Sequence, residues 1–314
     1  MNPAESQPGG PTEPAASVTP GADSPEDLAA SHHWCRASTR HHAKSFFFAS
    51  FPLPPHKRRA AYAVYAFCRH ADDLVDEGGA ETDLHGVIDE LGRAFDEITT
   101  GGRRDLPFAP AFAETVARYQ LKKQPFQDLV KGVAMDLGSV RIASWPELRE
   151  YCYHVASVVG LIMCPILGLR DPAGRAQAID LGIAMQLTNI IRDVAEDLER
   201  DRIYLPADEL AAAGLSEADL CAGRVDARWR KFLGGQIERA REFYRSGERG
   251  IPLLEDDGSR LTVRLMSAIY GDILRAVERL EGDVFRTRAR TSLPRKLALA
   301  WKVASFHIRR PHVR

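Results

Sequence analysis

The chain of 314 residues carries 42 Lys and Arg against 43 Asp and Glu, a formal net charge of −1, and is 45% hydrophobic. That length suits about one or two domains of roughly 100–200 residues and buries a sizeable core. The charge balance excludes a strongly basic nucleic-acid binder and an acidic solvating chain, so no nucleic-acid partner is expected. Five cysteines without a C-x-x-C pair support neither a disulfide framework nor a zinc ribbon, which predicts a reduced, cytoplasmic protein.

Residues 1–27 hold six prolines, little apolar bulk and no Lys or Arg. They lack the basic start and apolar core of a secretory signal and the arginines of a transit peptide. Such a stretch cannot offset its ordering entropy by burial and reads as a disordered tail. From residue 28 the dominant period is helical. In Arg58–Glu77, Tyr65, Arg69, Asp72 and Asp76 follow at +4, +3 and +4, along one helical face. In 83–100, Leu84, Val87, Ile88, Leu91, Phe95 and Ile98 form an apolar stripe. Ser144-Trp-Pro-Glu147 has the pattern of a capping box with an early proline.

Residues 151–169 are uncharged, long enough to test as a membrane span. Tyr151, Tyr153, His154, Ser157 and Pro165 within them favour a buried helix of a bundle. Asp171-Pro172 marks another helix start, and in 174–200 Gln186, Asn189, Asp193 and Asp197 share one face at +3, +4 and +4. Leu265, Met266, Ile269, Ile273, Val277 and Leu280 form a late apolar stripe. Strand alternation and Asn-Gly hairpin turns are absent. The expectation is an all-α, single-domain bundle of about ten helices over 28–307 around a central cavity, followed by a short basic tail at 308–314. From Arg286 to Arg314 there are nine Lys and Arg and no acid, which reads either as a solvated end or as a contact with an anionic membrane surface.

Acid pairs at i,i+4 are weak evidence alone, and Glu238/Glu242 reads as a solvated face. Two such pairs, each extending a polar row into apolar surroundings, are different. Carboxylates gathered there repel and lose hydration, so a cation must compensate. Hard oxygen ligands point to Mg²⁺, with Mn²⁺ as a substitute, completed by substrate phosphates. His32/His33 and His41/His42 lack a zinc arrangement. Lys44, Arg69 and Arg192 suit phosphate. The pattern implies a diphosphate held by magnesium at the mouth of a bundle, with an apolar cavity below it. There Ala156, Ser157 and Gly160 either admit a ligand to the backbone or let helices pack closely.

HHAKSF at 41–46, YAVYAFCRHADDLVDE at 62–77, YCYHVASVVG at 151–160 and QLTNIIRDVAEDLERDRIYLP at 186–206 carry a resemblance to the squalene/phytoene synthase family over about 32–300. The resemblance implies an isoprenoid-synthase fold with two Asp-rich motifs facing each other across a cavity. Asp72 and Asp76 would form the first, and Asn189, Asp193 and Asp197 the second, binding Mg²⁺ and two diphosphates. His42, Lys44, Ser45, Arg69 and Arg192 match positions near phosphate. Tyr65 and Tyr151 match the reaction centre, Tyr204 belongs to the RIYLP segment, and Phe46, Val155, Ala156, Gly160, Gln186 and Tyr270 are expected to contact substrate. Ser157 stands where many members have glycine, and Thr287, with Arg288 beside it, where an arginine is common.

The implied reaction joins two prenyl diphosphates head to head through a cyclopropyl diphosphate, with two geranylgeranyl diphosphates giving phytoene as the leading expectation. The alternative is two C15 donors giving presqualene diphosphate, squalene or dehydrosqualene. A non-catalytic assembly factor is disfavoured by the intact aspartates, and a terpene cyclase by the YCYHVAS and RIYLP segments. No nicotinamide is expected, since no G-x-G-x-x-G strand-to-helix unit is present. A desaturase or cyclase would be a downstream partner. Aligned on SFFFASFPLPP, Ser50 falls where C15-using relatives commonly carry phenylalanine, and it is expected to leave cavity volume open for C20.

Overall fold

In the computed structural model, which describes residues 24–78, 84–103 and 105–309, the first helix α1 (Pro25–His42) opens on a capping box. Ser24 Oγ accepts from the Asp27 N–H while Asp27 returns the contact, and Pro25 presets φ for the first turn. This local signal outweighs the proline-rich composition, so α1 takes in the last three residues of the segment read as tail. At the other end α14 (Leu293–Arg309) extends into the segment assigned to the basic tail. The remaining tail residues, 1–23 and 310–314, lie outside the described residues.

Between them run α2 (Lys44–Ala49), α3 (Pro55–Gly78), α4 (Leu84–Thr99), α5 (Ala109–Tyr119), α6 (Lys123–Ala134) and α7 (Trp145–Cys152). They are followed by α8 (Val158–Leu167), α9 (Gly174–Glu199), α10 (Ala207–Ala212), α11 (Glu217–Cys221), α12 (Ala227–Glu248) and α13 (Ser259–Arg279). The all-α expectation holds with fourteen α-helices among the described residues, the surplus over ten coming from short pieces such as α2, α10 and α11 that give no periodic signal. The predicted box at Ser144 is half made: its side chain caps nothing, and Glu147 instead accepts from the Ala143 N–H at 2.7 Å.

Helix α9 runs through the middle, packed by α8, α12 and α13, with Ile183, Leu187, Ile190 and Ile191 buried. A second, aromatic core joins α3, α4, α5 and α6, where Phe67 stacks on Phe112 at 4.6 Å and meets Phe126 edge-on at 5.3 Å. Among the described residues the only strands are a parallel pair of two residues each, β1 (Val140–Arg141) and β2 (Arg202–Ile203). It ties the chain beyond α6 to the chain beyond α9.

Trp145–Leu167 is the one helical stretch among the described residues long and apolar enough to cross a membrane. Here it is a bundle helix, with Leu148, Cys152, Val158, Ile162 and Ile166 buried and α8 packed against α3, α6 and α9. Residues Tyr153–Ser157 within it form a π-helical turn, a local widening frequently found at functional sites. Two glycines clamp that turn: a Cβ on Gly132 would lie 2.7 Å from the His154 carbonyl carbon, and one on Gly182 would lie 2.5 Å from Ser157 Cα. Ser157, fully buried, donates to the Ile179 carbonyl of α9 at 2.8 Å. Close helix packing therefore explains Ser157, Gly132 and Gly182, whereas Ala156 and Gly160 face a cavity. Gly182→Ala is expected to destabilise the protein by about 1–3 kcal/mol, because backbone rather than a flexible side chain must move. A urea midpoint equal to wild type would refute the clamp.

Candidate active site

Two chambers meet in the bundle. The polar one, about 410 Å³, is lined by Arg69 and Asp72 of α3, by Asn189, Asp193 and Asp197 of α9, and by Tyr151. The apolar one, about 320 Å³, is lined by Phe46, Tyr65, Ala156, Gly160, Met163 and Tyr270 among others. Their boundary runs through single helices. On α3, Tyr65 and Cys68 face the apolar side and Arg69 and Asp72 the polar side; on α9, Met185 and Gln186 divide in the same way. In the π-helical turn, adjacent Val155 and Ala156 belong to the polar and apolar chambers respectively.

The polar chamber is charged on both signs. Asp193 accepts from Arg192 Nε at 2.7 Å and from Arg288 Nε at 2.9 Å, and Arg288 also reaches Glu196 at 3.2 Å. Beside Thr287, it is Arg288 that places a guanidinium against Asp193. Arg69 pairs with Asp73, and its buried Nε has no acceptor among the described residues. Asn189 Nδ2 donates to Gln186 Oε1 at 3.3 Å. Asp136 receives the Tyr204 hydroxyl at 2.7 Å and the Tyr151 hydroxyl at 3.1 Å, and the two rings stack at 4.7 Å. Burial, then Asp136, holds Tyr151 well above the ordinary phenol value, so it stays a proton donor. Burial likewise pushes Tyr65 up to about 12.

Burial, reinforced by Asp193 and Asp136 and opposed by Arg202 and Arg200, pushes the Asp197 carboxyl up to about 7. A raised carboxyl signals negative charge that a cation would relieve. The donors are hard oxygens spread along the walls, and among the described residues no three His, Cys, Asp or Glu already converge as a metal cluster. That set fits a divalent cation of the magnesium type, which keeps waters and takes phosphate oxygens. Asp72, Asn189, Asp193 and Asp197 would hold it.

The raised Asp197 fixes a pH dependence. Its folded value lies above the 3.8 of an ordinary Asp, so the native chain retains a proton that the unfolded chain releases between about pH 4 and 7. Metal-free stability therefore falls as pH rises through that window, by at most about 1.4 kcal/mol per unit from this group, and levels off above it. Urea titrations in EDTA should show the fall in wild type and a flatter profile in Asp197→Asn. An identical profile in both would remove Asp197 as its source.

Several expected site residues lie elsewhere. Ser50 is fully buried behind the wall, its hydroxyl engaged by Tyr62 Oη at 2.7 Å and the Phe47 carbonyl at 2.8 Å, so it does not line the cavity. Lys44 is exposed in a separate basic hollow with Arg36 and Arg40, outside the polar chamber's lining. Half-buried Ser45 follows it in α2. His42 is near Arg69; slight burial, then the charges of Arg69 and His41, lower its pKa, so it is neutral at pH 7. Asp76 lies in α3 by its backbone, and its side chain falls outside the described residues. Asp136, Arg200 and Arg202 join the site unannounced: β1–β2 pairing brings them together from the ends of α6 and α9.

A family model for squalene/phytoene synthase matches residues 39–295. Phytoene synthase 3 of Zea mays is 42% identical over 277 residues, covering 86% of this chain and 64% of its own, so this chain spans less than two thirds of the maize protein. The 15-cis-phytoene synthase of Synechococcus elongatus is 39% identical over 282 residues, covering 86% and 91%. Among solved structures, a dehydrosqualene synthase bound to a ligand aligns with a TM-score of 0.83 at 29% identity, covering 91% of this chain and 99% of its own. A squalene synthase of Alicyclobacillus acidocaldarius aligns at 0.73 and 28%, covering 82% and 97%. Sequence, fold and the paired chambers agree: the chain belongs to the squalene/phytoene synthase family.

Proposed function

We propose that this enzyme joins two geranylgeranyl diphosphates head to head to give phytoene, with Mg²⁺ as its metal. The observation that carries the reading is the abutment of a polar chamber rich in carboxylate and guanidinium with an apolar chamber. The C20 choice follows the curated relatives named phytoene synthase. The solved neighbours, a dehydrosqualene and a squalene synthase, favour the second reading, two C15 donors. Family members use a divalent metal and act on prenyl diphosphates.

Bound at the carboxylates, the metal supplies Lewis-acid stabilisation of the departing diphosphate. Arg69, Arg192 and Arg288 carry guanidinium groups that bind phosphate oxygens as charge develops. The apolar walls exclude water that would quench an allylic cation. The faces of Tyr65 and Phe46, 6.1 Å apart, stabilise positive charge by roughly 0.5–2 kcal/mol each. The second donor's double bond attacks the cation, and loss of a proton closes the cyclopropane. Tyr151 is protonated and tied to Asp136, so it orients the wall, and the released diphosphate takes that proton. A second ionisation releases the remaining diphosphate, the cyclopropylcarbinyl cation rearranges to the linear chain, and loss of a proton to that diphosphate gives the neutral product.

The donors carry long hydrocarbon chains and the product is a hydrocarbon, which fits a cytoplasmic enzyme peripheral to the inner face of a membrane, handing its product to a desaturase or cyclase. Incubation with C15 and C20 diphosphates and Mg²⁺, with the hydrocarbon identified by mass, tests the reaction. Phytoene is expected without nicotinamide. Preference for the C15 donor, or a requirement for NADPH, overturns the reading.

A further inference from the structure

We propose that the outer face of α14 is a docking surface for an anionic lipid bilayer; this rests on the peripheral placement above and assigns it a place on the molecule. The first observation is exposure. Leu293, Leu297 and Trp301, 62%, 54% and 75% exposed, follow at i, i+4 and i+8 and so form one stripe. None of the three belongs to a hydrophobic core cluster. The stripe is held firmly outward. On the opposite side of α14, Leu299 is buried against Ala49, Leu265 and Ile269, and Arg295 pairs at 2.9 Å with Asp272, a carboxylate buried in α13.

The second observation is charge. In a chain with 43 acids, residues 284–314 contain none beside nine Lys and Arg, and residues 28–71 contain none beside seven. The two stretches adjoin: Lys44 at the start of α2 lowers the pKa of Lys296 on α14, after burial. All five large apolar residues exposed among the described residues, Phe51 and Trp34 included, fall within these two stretches. Next to the stripe, Trp301 and Lys302 border a hollow of about 680 Å³ that Arg264 and Arg275 also line, together with Glu248. Several of these cations are paired with acids from elsewhere, as Arg288 is with Asp193 and Arg295 with Asp272. Exposed apolar rings and chains flanked by stretches this rich in Lys and Arg are nonetheless the composition of a helix lying in the headgroup region of an anionic membrane. A protein partner would meet the apolar stripe equally well, but only a negative surface answers the segregated charge. Arg288, which reaches Asp193, lies five residues before the helix, so docking there keeps the polar site close to the bilayer.

The test is cosedimentation of the whole protein, without substrate, with vesicles of phosphatidylcholine alone or with one third phosphatidylglycerol. Binding is expected only with the anionic lipid, weakening as salt rises. The Leu293→Ser/Leu297→Ser/Trp301→Ser variant should lose binding by about tenfold or more while turning over detergent-dispersed substrate as wild type does. Trp301→Phe should keep binding but lose the blue shift in tryptophan emission. Equal binding to both vesicles, unchanged binding by the triple variant, or a wild-type dimer that ignores lipid and is split by the triple variant would each overturn the assignment. Lipid binding is read without catalysis, so it stands or falls separately from the reaction proposed above.

Discussion

Asp193→Ala is expected to lower kcat by about a thousandfold or more, equivalent to about 4 kcal/mol of transition-state stabilisation, while leaving the helical fold intact. Asp193 sits where the charges of the polar chamber converge, accepting from Arg192 and Arg288 and raising the pKa of Asp197. Its removal deletes a donor for the cation, takes the Asp193 carboxylate from Arg192 and leaves Arg288 with Glu196. The fold survives because α9 is held by Leu187, Ile190, Ile191 and Val194, all buried, rather than by this ion pair. A second readout separates a metal-site role from a general loss of structure. With Asp193 gone, the Asp197 carboxyl should titrate lower, so the stability loss between about pH 4 and 7 should shrink. Asp72→Ala should match the kinetic loss. Near wild-type turnover in either variant, with circular dichroism unchanged, would refute the site.

The parts of this site that were legible in the sequence share one property: they lie on long helices at helical spacing. Tyr65, Arg69 and Asp72 on α3, and Gln186, Asn189, Asp193 and Asp197 on α9, fall on common faces by spacing alone. Asp136 could not. It follows the end of α6 and reaches Tyr204, 68 residues on, through two-residue strands too short to leave a periodic trace. Arg288 lies in irregular chain before α14, where no period fixes which neighbour turns inward. The π-helical turn breaks the register within an apolar run, so the split of Val155 from Ala156 is invisible to a 3.6-residue pattern. Ser50 failed for another reason. Alignment gave its position, but a small residue marks free volume only where it faces the cavity, and this one spends its hydroxyl on Tyr62.

Ala61→Phe is expected to convert a C20-using enzyme into one that prefers C15 donors. Ala61 lines the apolar chamber, clustered with Leu53, Leu167 and Leu254. It precedes Asp72 by eleven residues of α3, about 16 Å at 1.5 Å per residue, so it lies deep beneath the diphosphate site. One more isoprene unit lengthens the main chain by four carbons, roughly 5 Å given C–C bonds of about 1.5 Å. A ring at that depth takes the space of the last unit and leaves the earlier ones room. Burying the five extra carbons is worth about 0.8 kcal/mol each, so kcat/KM for the C20 donor should fall by as much as about a thousandfold. The C15 donor should stay within about tenfold, since it loses no burial and bears only the 1–3 kcal/mol stability cost of overpacking the wall. Ser50→Phe, by contrast, would force a ring against Tyr62 behind the wall and should lower stability more than it alters selectivity. Competition between the two diphosphates, with product lengths read by mass, decides the point. If Ala61→Phe kept the wild-type preference while Ser50→Phe reversed it, chain length would be set at the wall behind Phe46 rather than at the floor of the chamber.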